Sequence, residues 1–162
     1  MDLSGKKVLV VGLARSGMAA IRVLKKLGAE VTLSESKKKD DMKEIGFLNE
    51  NNVEIVGQDM AVFERDFDLV VKNPGVPYRS PMIEKLHARN IPVITEIELA
   101  YQVAKPQHYI AITGTNGKTT TSTLTYEILR RAFPGKAHLC GNIGIPLCEI
   151  VMENGLMEEG GH

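Results

Sequence analysis

A chain of 162 residues with 43% hydrophobic content is long enough to bury a real core, roughly two thirds of its unfolded surface. Twenty Lys and Arg balance twenty Asp and Glu, so no global positive field draws it to nucleic acid or a membrane surface, and any phosphate it binds has to be held by local geometry. The polar start 1–7 and the short apolar run 8–11 fit neither a signal peptide nor a spanning helix, which points to a cytoplasmic protein, and Cys140 and Cys148, spaced for neither zinc nor a disulfide framework, read as reduced, partly buried thiols.

Short runs rich in valine and isoleucine alternate with longer stretches of helical period, the pattern of an α/β fold whose parallel sheet is flanked by helices. Residues 7–11 are nearly all apolar, as a strand buried on both faces must be, and end at Gly12. A helix follows with Ile21, Leu24 and Leu27 as its core stripe, and Gly28 stands where helices commonly end in left-handed geometry. Residues 30–33, 53–56 and 67–71 read as further strands, with a weakly periodic helix over 40–50. Ser80 and Pro81 open the next helix as cap and first-turn residue, with Met82, Ile83 and Leu86 buried up to Asn90. A short strand at 91–94 closes a Rossmann-like first domain, residues 1–94.

Residues 95–162 are expected to begin a second, phosphate-loop α/β domain. A helix over 95–104 breaks at Lys105 and Pro106, and an apolar strand, 109–112, runs straight into Gly114-Thr115-Asn116-Gly117-Lys118-Thr119. The helix beyond carries Leu124, Ile128 and Leu129 on one side, although four threonines between 119 and 123 are mediocre helix formers, so packing and the loop must impose it. A Gly141-Asn142-Ile143-Gly144 turn and a helix from about 146 to 157 complete the pattern. The span is short for a phosphate-loop domain, and a carboxylate on a separate strand to order magnesium is not found after Met157, so this domain is expected to be incomplete.

A strand, then glycines, then Lys-Thr opening a helix is what a polyphosphate site requires: glycines let backbone N–H groups approach the anion, and the helix end adds positive potential. Gly114, Thr115, Asn116, Gly117, Lys118, Thr119 and Thr120 are therefore candidate ATP phosphate ligands, with Lys118 on the β and γ phosphates and the Thr119 hydroxyl on magnesium. The first position of the common G-x-x-x-x-G-K-[ST] spelling is Ile112, and an ordinary strand-to-helix turn with a solvated lysine is the bland alternative. The first domain carries a second turn of this kind, G-L-A-R-S-G at 12–17. Ala14 replaces the middle glycine of a dinucleotide fingerprint, where a methyl group crowds a pyrophosphate, while Arg15 and Ser16 offer side-chain donors. Glu35 lies where a ribose-binding acid would sit in a nicotinamide-binding protein, so an NAD(P)-binding module without ligase chemistry stays open as the alternative. The loop 73–77, stiffened by two prolines, follows a strand at the carboxyl edge of the sheet, and is either a ligand-facing loop or a plain tight turn. The four histidines form no ligand pair, so no metal is assigned to them.

In these residues the chain resembles the Mur ligases, and among them the D-glutamate-adding branch. The resemblance rests on V-G-L-A-R-S-G at 11–17, K-N-P-G-V-P at 72–77, T-E-I-E-L-A-Y at 95–101, I-T-G-T-N-G-K-T-T-T at 112–121 and G-N-I-G-I-P at 141–146. Folylpolyglutamate synthetases share the phosphate loop alone, so residues 11–77 separate the two. The resemblance implies a three-domain enzyme of peptidoglycan precursor synthesis, in which the first domain holds UDP-N-acetylmuramoyl-L-alanine, the second ATP and Mg2+, and the third helps bind D-glutamate. By similarity, Arg15 and Ser16 contact the diphosphate, Glu35, Ser36 and Lys37 surround the uracil, Asn73 and Gly75 line the same site, and Asn142 reaches the substrate near ATP. The family often has Asp, Thr and Arg where Glu35, Ser36 and Lys37 stand. Lys118 is the catalytic candidate, offsetting charge on the transferring phosphoryl group. The implied magnesium-binding glutamate and histidine and the modified lysine fall outside the sequence, so the chain alone is expected to be catalytically inactive.

Overall fold

The computed structural model describes residues 1–104, 108–141 and 144–157. Five parallel strands form one sheet in the order β3-β2-β1-β4-β5. They are β1 (Lys7–Val11), β2 (Glu30–Ser34), β3 (Glu54–Val56), β4 (Leu69–Lys72) and β5 (Val93–Thr95). The expected strands are all present in the first domain, each within two residues of its expected ends. The chain leaves β1 towards β2 on one side and comes back to β4 on the other. The strand order therefore reverses between β1 and β4, and their carboxyl ends open a crevice there. Val11 pairs in register with Ser34 on one flank and Lys72 on the other, and Lys72 pairs with Thr95, so four strand ends align along one edge.

Side chains of β1 alternate between two cores. Val8 and Val10 face α1 (Arg15–Lys26), whose Ala20, Ile21, Val23 and Leu24 are buried. Leu9 and Val11 face Phe63, Ile83 and Leu86, which come from a 3-10 turn at Met60–Glu64 and from α3 (Pro81–Ala88). Each fully buried side chain of this kind contributes about 1.5–3 kcal/mol, so this three-layer sandwich rather than local propensity fixes the fold. Gly28 ends α1 with φ of 77°, as expected of a left-handed terminator. The helix expected over 40–50 is instead a 3-10 turn, Lys39–Asp41, and a short α2, Ile45–Glu50, in which only Leu48 is buried; its sparse apolar pattern supports little more. Ser80 has the backbone of a cap, but its side chain makes no capping bond, and its buried Oγ has no partner among the described residues.

The helix α4 (Glu96–Val103) starts at Thr95, whose hydroxyl accepts from the Glu98 N–H at 3.4 Å, and it buries Leu99, Ala100 and Val103 against the α1 side of the sheet. A later helix, α6 (Leu147–Glu153), joins the same core through Leu147, Cys148 and Val151. Between them α5 (Lys118–Ala132) forms as expected behind the phosphate loop, but buries no side chain, and Leu124 and Ile128 are exposed. The strand expected at 109–112 is not formed: those residues join no ladder, and Ile110 is exposed. A strand is stabilised only by a paired neighbour, and the described residues offer 109–112 none. Without that sheet, nothing among the described residues buries the apolar stripe of α5.

One buried carboxylate joins α4 to α6. Glu96 is 3% exposed, and its Oε1 accepts from the Cys148 N–H at 2.5 Å while the Cys148 thiol donates to the Glu96 carbonyl at 3.4 Å. Burial raises the Glu96 carboxyl above its ordinary value of 4.5, and nearby Glu149 adds to that, against the two Cys148 bonds. The folded chain therefore holds this proton to higher pH than the unfolded chain does, and the group's effect turns against folding as the pH rises from 4.5 through the raised value. Glu96→Gln keeps an acceptor and removes the charge. It is expected to raise the melting temperature by a few degrees at pH 8 and to leave it nearly unchanged at pH 4 in thermal melts.

Candidate functional site

The turn 12–17 after β1 is built by close backbone contacts. Gly12 takes φ of 87° and donates its N–H to the Ser34 carbonyl at 2.9 Å, which ties it to the end of β2. A Cβ on Gly17 would lie 2.1 Å from the Gly12 carbonyl oxygen, so only glycine lets α1 start this close to the turn. The first-turn amides of Arg15, Ser16 and Gly17 have no acceptor within the helix, and this helix start lies at the carboxyl end of β1, where an anion can meet both the N–H groups and the helix dipole.

Glu35, just past β2, holds this turn from the side. It is 9% exposed; its Oε2 accepts from the Leu13 N–H at 2.6 Å, and its Oε1 accepts from the N–H groups of Ser36 at 2.7 Å and Lys37 at 3.1 Å and from the Ser36 hydroxyl at 3.0 Å. Burial alone would raise this carboxyl; the bonds, the one from Leu13 foremost, outweigh it and hold the group below its ordinary value. The carboxylate of Glu35 is thus committed to backbone, and Ser36 and Lys37 are the exposed members of that trio.

Arg15 and Lys37 face an open cleft of about 350 Å³ whose polar lining also includes Arg22, Glu44 and Glu149. Arg22 and the two glutamates escaped the sequence reading. Arg22 had a signal there, lying seven residues after Arg15 on one face of α1. Arg15 donates from Nη1 to the Gly144 carbonyl at 3.0 Å and lies 3.4 Å from the Glu149 carboxylate, so the 12–17 turn and the segment entering α6 meet here. Asn142 lies outside the described residues.

Across the crevice, the loop 73–77 packs on the same turn. The Asn73 N–H donates to the Val11 carbonyl at 3.0 Å, and its Cβ is 3.3 Å from where a Gly12 side chain would begin. Asn73 Oδ1 accepts from the Gly75 N–H at 2.9 Å, and its carbonyl accepts from the Val76 N–H at 2.9 Å, so both of its acceptors shape the loop. The structure thus gathers Arg15, Ser16, Glu35, Ser36, Lys37, Asn73 and Gly75 around one edge.

The loop 114–120, read from the sequence as a phosphate site, is exposed throughout. Gly114 (φ 150°) and Gly117 (φ 75°) adopt backbone that other residues disfavour, and Gly117 caps the 15-residue α5. Lys118 folds its ammonium back to the Gly114 carbonyl and, at 3.3 Å, to the Thr115 carbonyl. Lys118 thus closes the turn on itself, and Thr119 stands in the first turn of α5. Among the described residues no cluster of three His, Cys, Asp or Glu could hold a metal. Burial raises both thiols, Cys148 far above the ordinary range; Cys140 is partly buried, as expected, and Cys148 fully. No helix among the described residues is long and apolar enough to cross a membrane.

The family described as Mur ligase MurD-like, N-terminal domain, matches residues 6–95, and the Mur ligase middle domain matches 112–156. UDP-N-acetylmuramoylalanine–D-glutamate ligase of Lactococcus lactis subsp. lactis is 49% identical over 147 residues, 90% of this chain and 32% of that protein. The ligase of the same name from Lacticaseibacillus casei is 45% identical over 156 residues, 95% of this chain and 34% of that protein. This chain spans about a third of the length of these curated relatives. Among solved structures, a murein peptide ligase from Psychrobacter arcticus superposes with a TM-score of 0.56 at 25% identity, covering 79% of this chain and 27% of that one. A UDP-N-acetylmuramate:L-alanyl-gamma-D-glutamyl-meso-diaminopimelate ligase from Neisseria meningitides shares the fold, with a TM-score of 0.53 at 22% identity over 80% of this chain and 40% of that one. With its parallel sheet, both turns of the crevice and the lysine-bearing loop all inside the matched spans, the chain belongs to the Mur ligase family.

Proposed function

We propose that this chain supplies the UDP-sugar site and the ATP phosphate loop of a cytoplasmic UDP-N-acetylmuramoyl-L-alanine:D-glutamate ligase of peptidoglycan precursor synthesis. The observation that carries the reading is the crevice between β1 and β4, where a helix start, Arg15 and loop 73–77 converge inside the span matched by the MurD-like domain. The diphosphate would lie on the amides of Arg15, Ser16 and Gly17, with the Arg15 guanidinium exchanging Glu149 for the phosphate oxygens. Uracil would rest against the Ser36 and Lys37 loop that Glu35 holds in place, with Gly75 on the opposite wall.

In this reading 95–162 opens the ATP domain, and the 114–120 loop presents the first-turn amides of α5 and the Lys118 ammonium to the β and γ phosphates. The substrate carboxylate attacks the γ-phosphorus of ATP, the bond to ADP breaks, and an acyl phosphate forms. The D-glutamate amine then displaces phosphate to give the amide. Lys118 stabilises charge on the transferring group, and most of the remaining acceleration comes from holding the reactants in line. The family implies Mg2+; with the exposed Thr119 hydroxyl and no carboxylate cluster among the described residues, the residues present fit an ion carried by the nucleotide and held here by Thr119, where it would neutralise phosphate charge.

Calorimetric titration with UDP and with NAD separates this reading from a dinucleotide-binding module. UDP is expected to bind the crevice, with NAD neither binding nor competing. Competition by NAD would replace the reading.

A further inference from the structure

Lys72 ends β4 at the centre of the site edge, yet it is only 2% exposed. A buried ammonium is costly unless it is paired, and a methionine would fill its volume without that cost. Among the described residues no carboxylate pairs with it, and burial draws its pKa below the ordinary value for lysine. Stability alone therefore does not account for a lysine here.

Both of its polar contacts lie just after it in the chain, one in loop 73–77 and one at Tyr78. The ammonium donates to the Val76 carbonyl at 2.8 Å and sits 3.9 Å from the centroid of the Tyr78 ring, on its face. Asn73 makes the complementary bonds at the other end of the loop, accepting from the Gly75 and Val76 N–H groups. Tyr78 is 55% exposed, and the cation on its ring face ties it to the end of β4. The loop carries two prolines but no strand partner, so its shape against Gly12 depends on these few contacts.

We propose that Lys72 is a positioning residue for the anionic ligand of this edge: its ammonium latches Val76 and Tyr78, and so fixes loop 73–77 against the 12–17 turn in the shape that receives a uridine diphosphate group. The proposal rests on the uridine-nucleotide reading of the first domain. Lys72 is too deep to touch the ligand and acts through the loop.

The test compares Lys72→Met, Tyr78→Leu and Tyr78→Phe with the wild-type chain in three measurements: melting temperature, NMR order parameters of the Gly75 and Val76 amides, and calorimetric affinity for UDP. Lys72→Met is expected to melt no lower than wild type, because it removes a desolvated charge. Its loop amides are expected to fall from about 0.85 to below about 0.6 in order parameter. Its affinity for UDP is expected to fall about tenfold. Tyr78→Leu follows Lys72→Met in the last two measurements, and Tyr78→Phe, which keeps the ring face, stays with wild type. Order parameters unchanged in Lys72→Met overturn the latch, and loosened amides with unchanged UDP affinity overturn its positioning role. A wild-type chain that binds no UDP overturns the uridine reading itself, and the order parameters still decide the latch.

Discussion

Gly17→Ala is expected to be the most damaging single methyl in the first domain, lowering stability by about 3 kcal/mol and the melting temperature by about 10 °C. The added Cβ would stand 2.1 Å from the Gly12 carbonyl oxygen and 3.1 Å from its carbon, both of them backbone atoms. That carbonyl cannot swing away, because the Gly12 N–H is bonded to Ser34 and the β1 strand before it is paired on both sides. Relief requires α1 to lift from the turn, which breaks the bond from the Met18 N–H to the Leu13 carbonyl and opens the core around Ile21 and Leu24. Gly46→Ala is the internal control: it lies in α2 with nothing within 4 Å of its Cβ, so alanine there is expected to be neutral or stabilising by up to about 1 kcal/mol. Thermal melts of the two variants check both, and a Gly17→Ala chain that melts with wild type would contradict the account of the turn.

Glu35→Ala is expected to cost about 2–4 kcal/mol and to weaken UDP binding, because it strands the Leu13 N–H in a buried position and releases the Ser36 and Lys37 amides together. The pH dependence follows from the direction of the shift. A carboxyl held below its ordinary value of 4.5 contributes its stability fully above that value and loses it as the pH falls through the lowered one. Glu35→Gln should therefore destabilise most at pH 6 to 8, and the gap between it and wild type should close under acid. Glu54, lowered by the Arg65 guanidinium, and Asp68, lowered first by the Lys7 N–H and then by the Lys6 ammonium, add to the acid slope of both chains, so the difference between the two melting curves is the quantity to read. A gap that widens in acid would assign the carboxylate a different role.

How much of this was legible in the sequence depended on whether a residue acts through periodicity or through a single close contact. Strand β1 was readable because four consecutive apolar residues, Val8 to Val11, can only serve a strand covered on both faces, and Gly28 and Pro81 marked helix ends by their backbone requirements. The crevice was readable as two glycine-bearing turns at strand ends. Glu35 was found as a position, but its engagement with backbone was not, since nothing in a lone acid after a strand says whether its oxygens face a ligand or an amide. Lys72 and Glu96 were passed over because charged residues are expected in solvent, and only burial reveals them. The expected strand at 109–112 failed for a different reason. An apolar run announces a strand only when a neighbour pairs with it, and sequence pattern carries no information on whether that neighbour is at hand.

Titration of the chain with UDP-N-acetylmuramoyl-L-alanine, repeated on Arg15→Ala and Ser16→Ala variants shown to melt as wild type does, tests the assignment of the β1/β4 crevice most directly. Binding by the wild-type chain that weakens about tenfold in Arg15→Ala, with a smaller loss in Ser16→Ala, is the predicted result. No binding by the folded wild-type chain, or equal binding by all three, would contradict it.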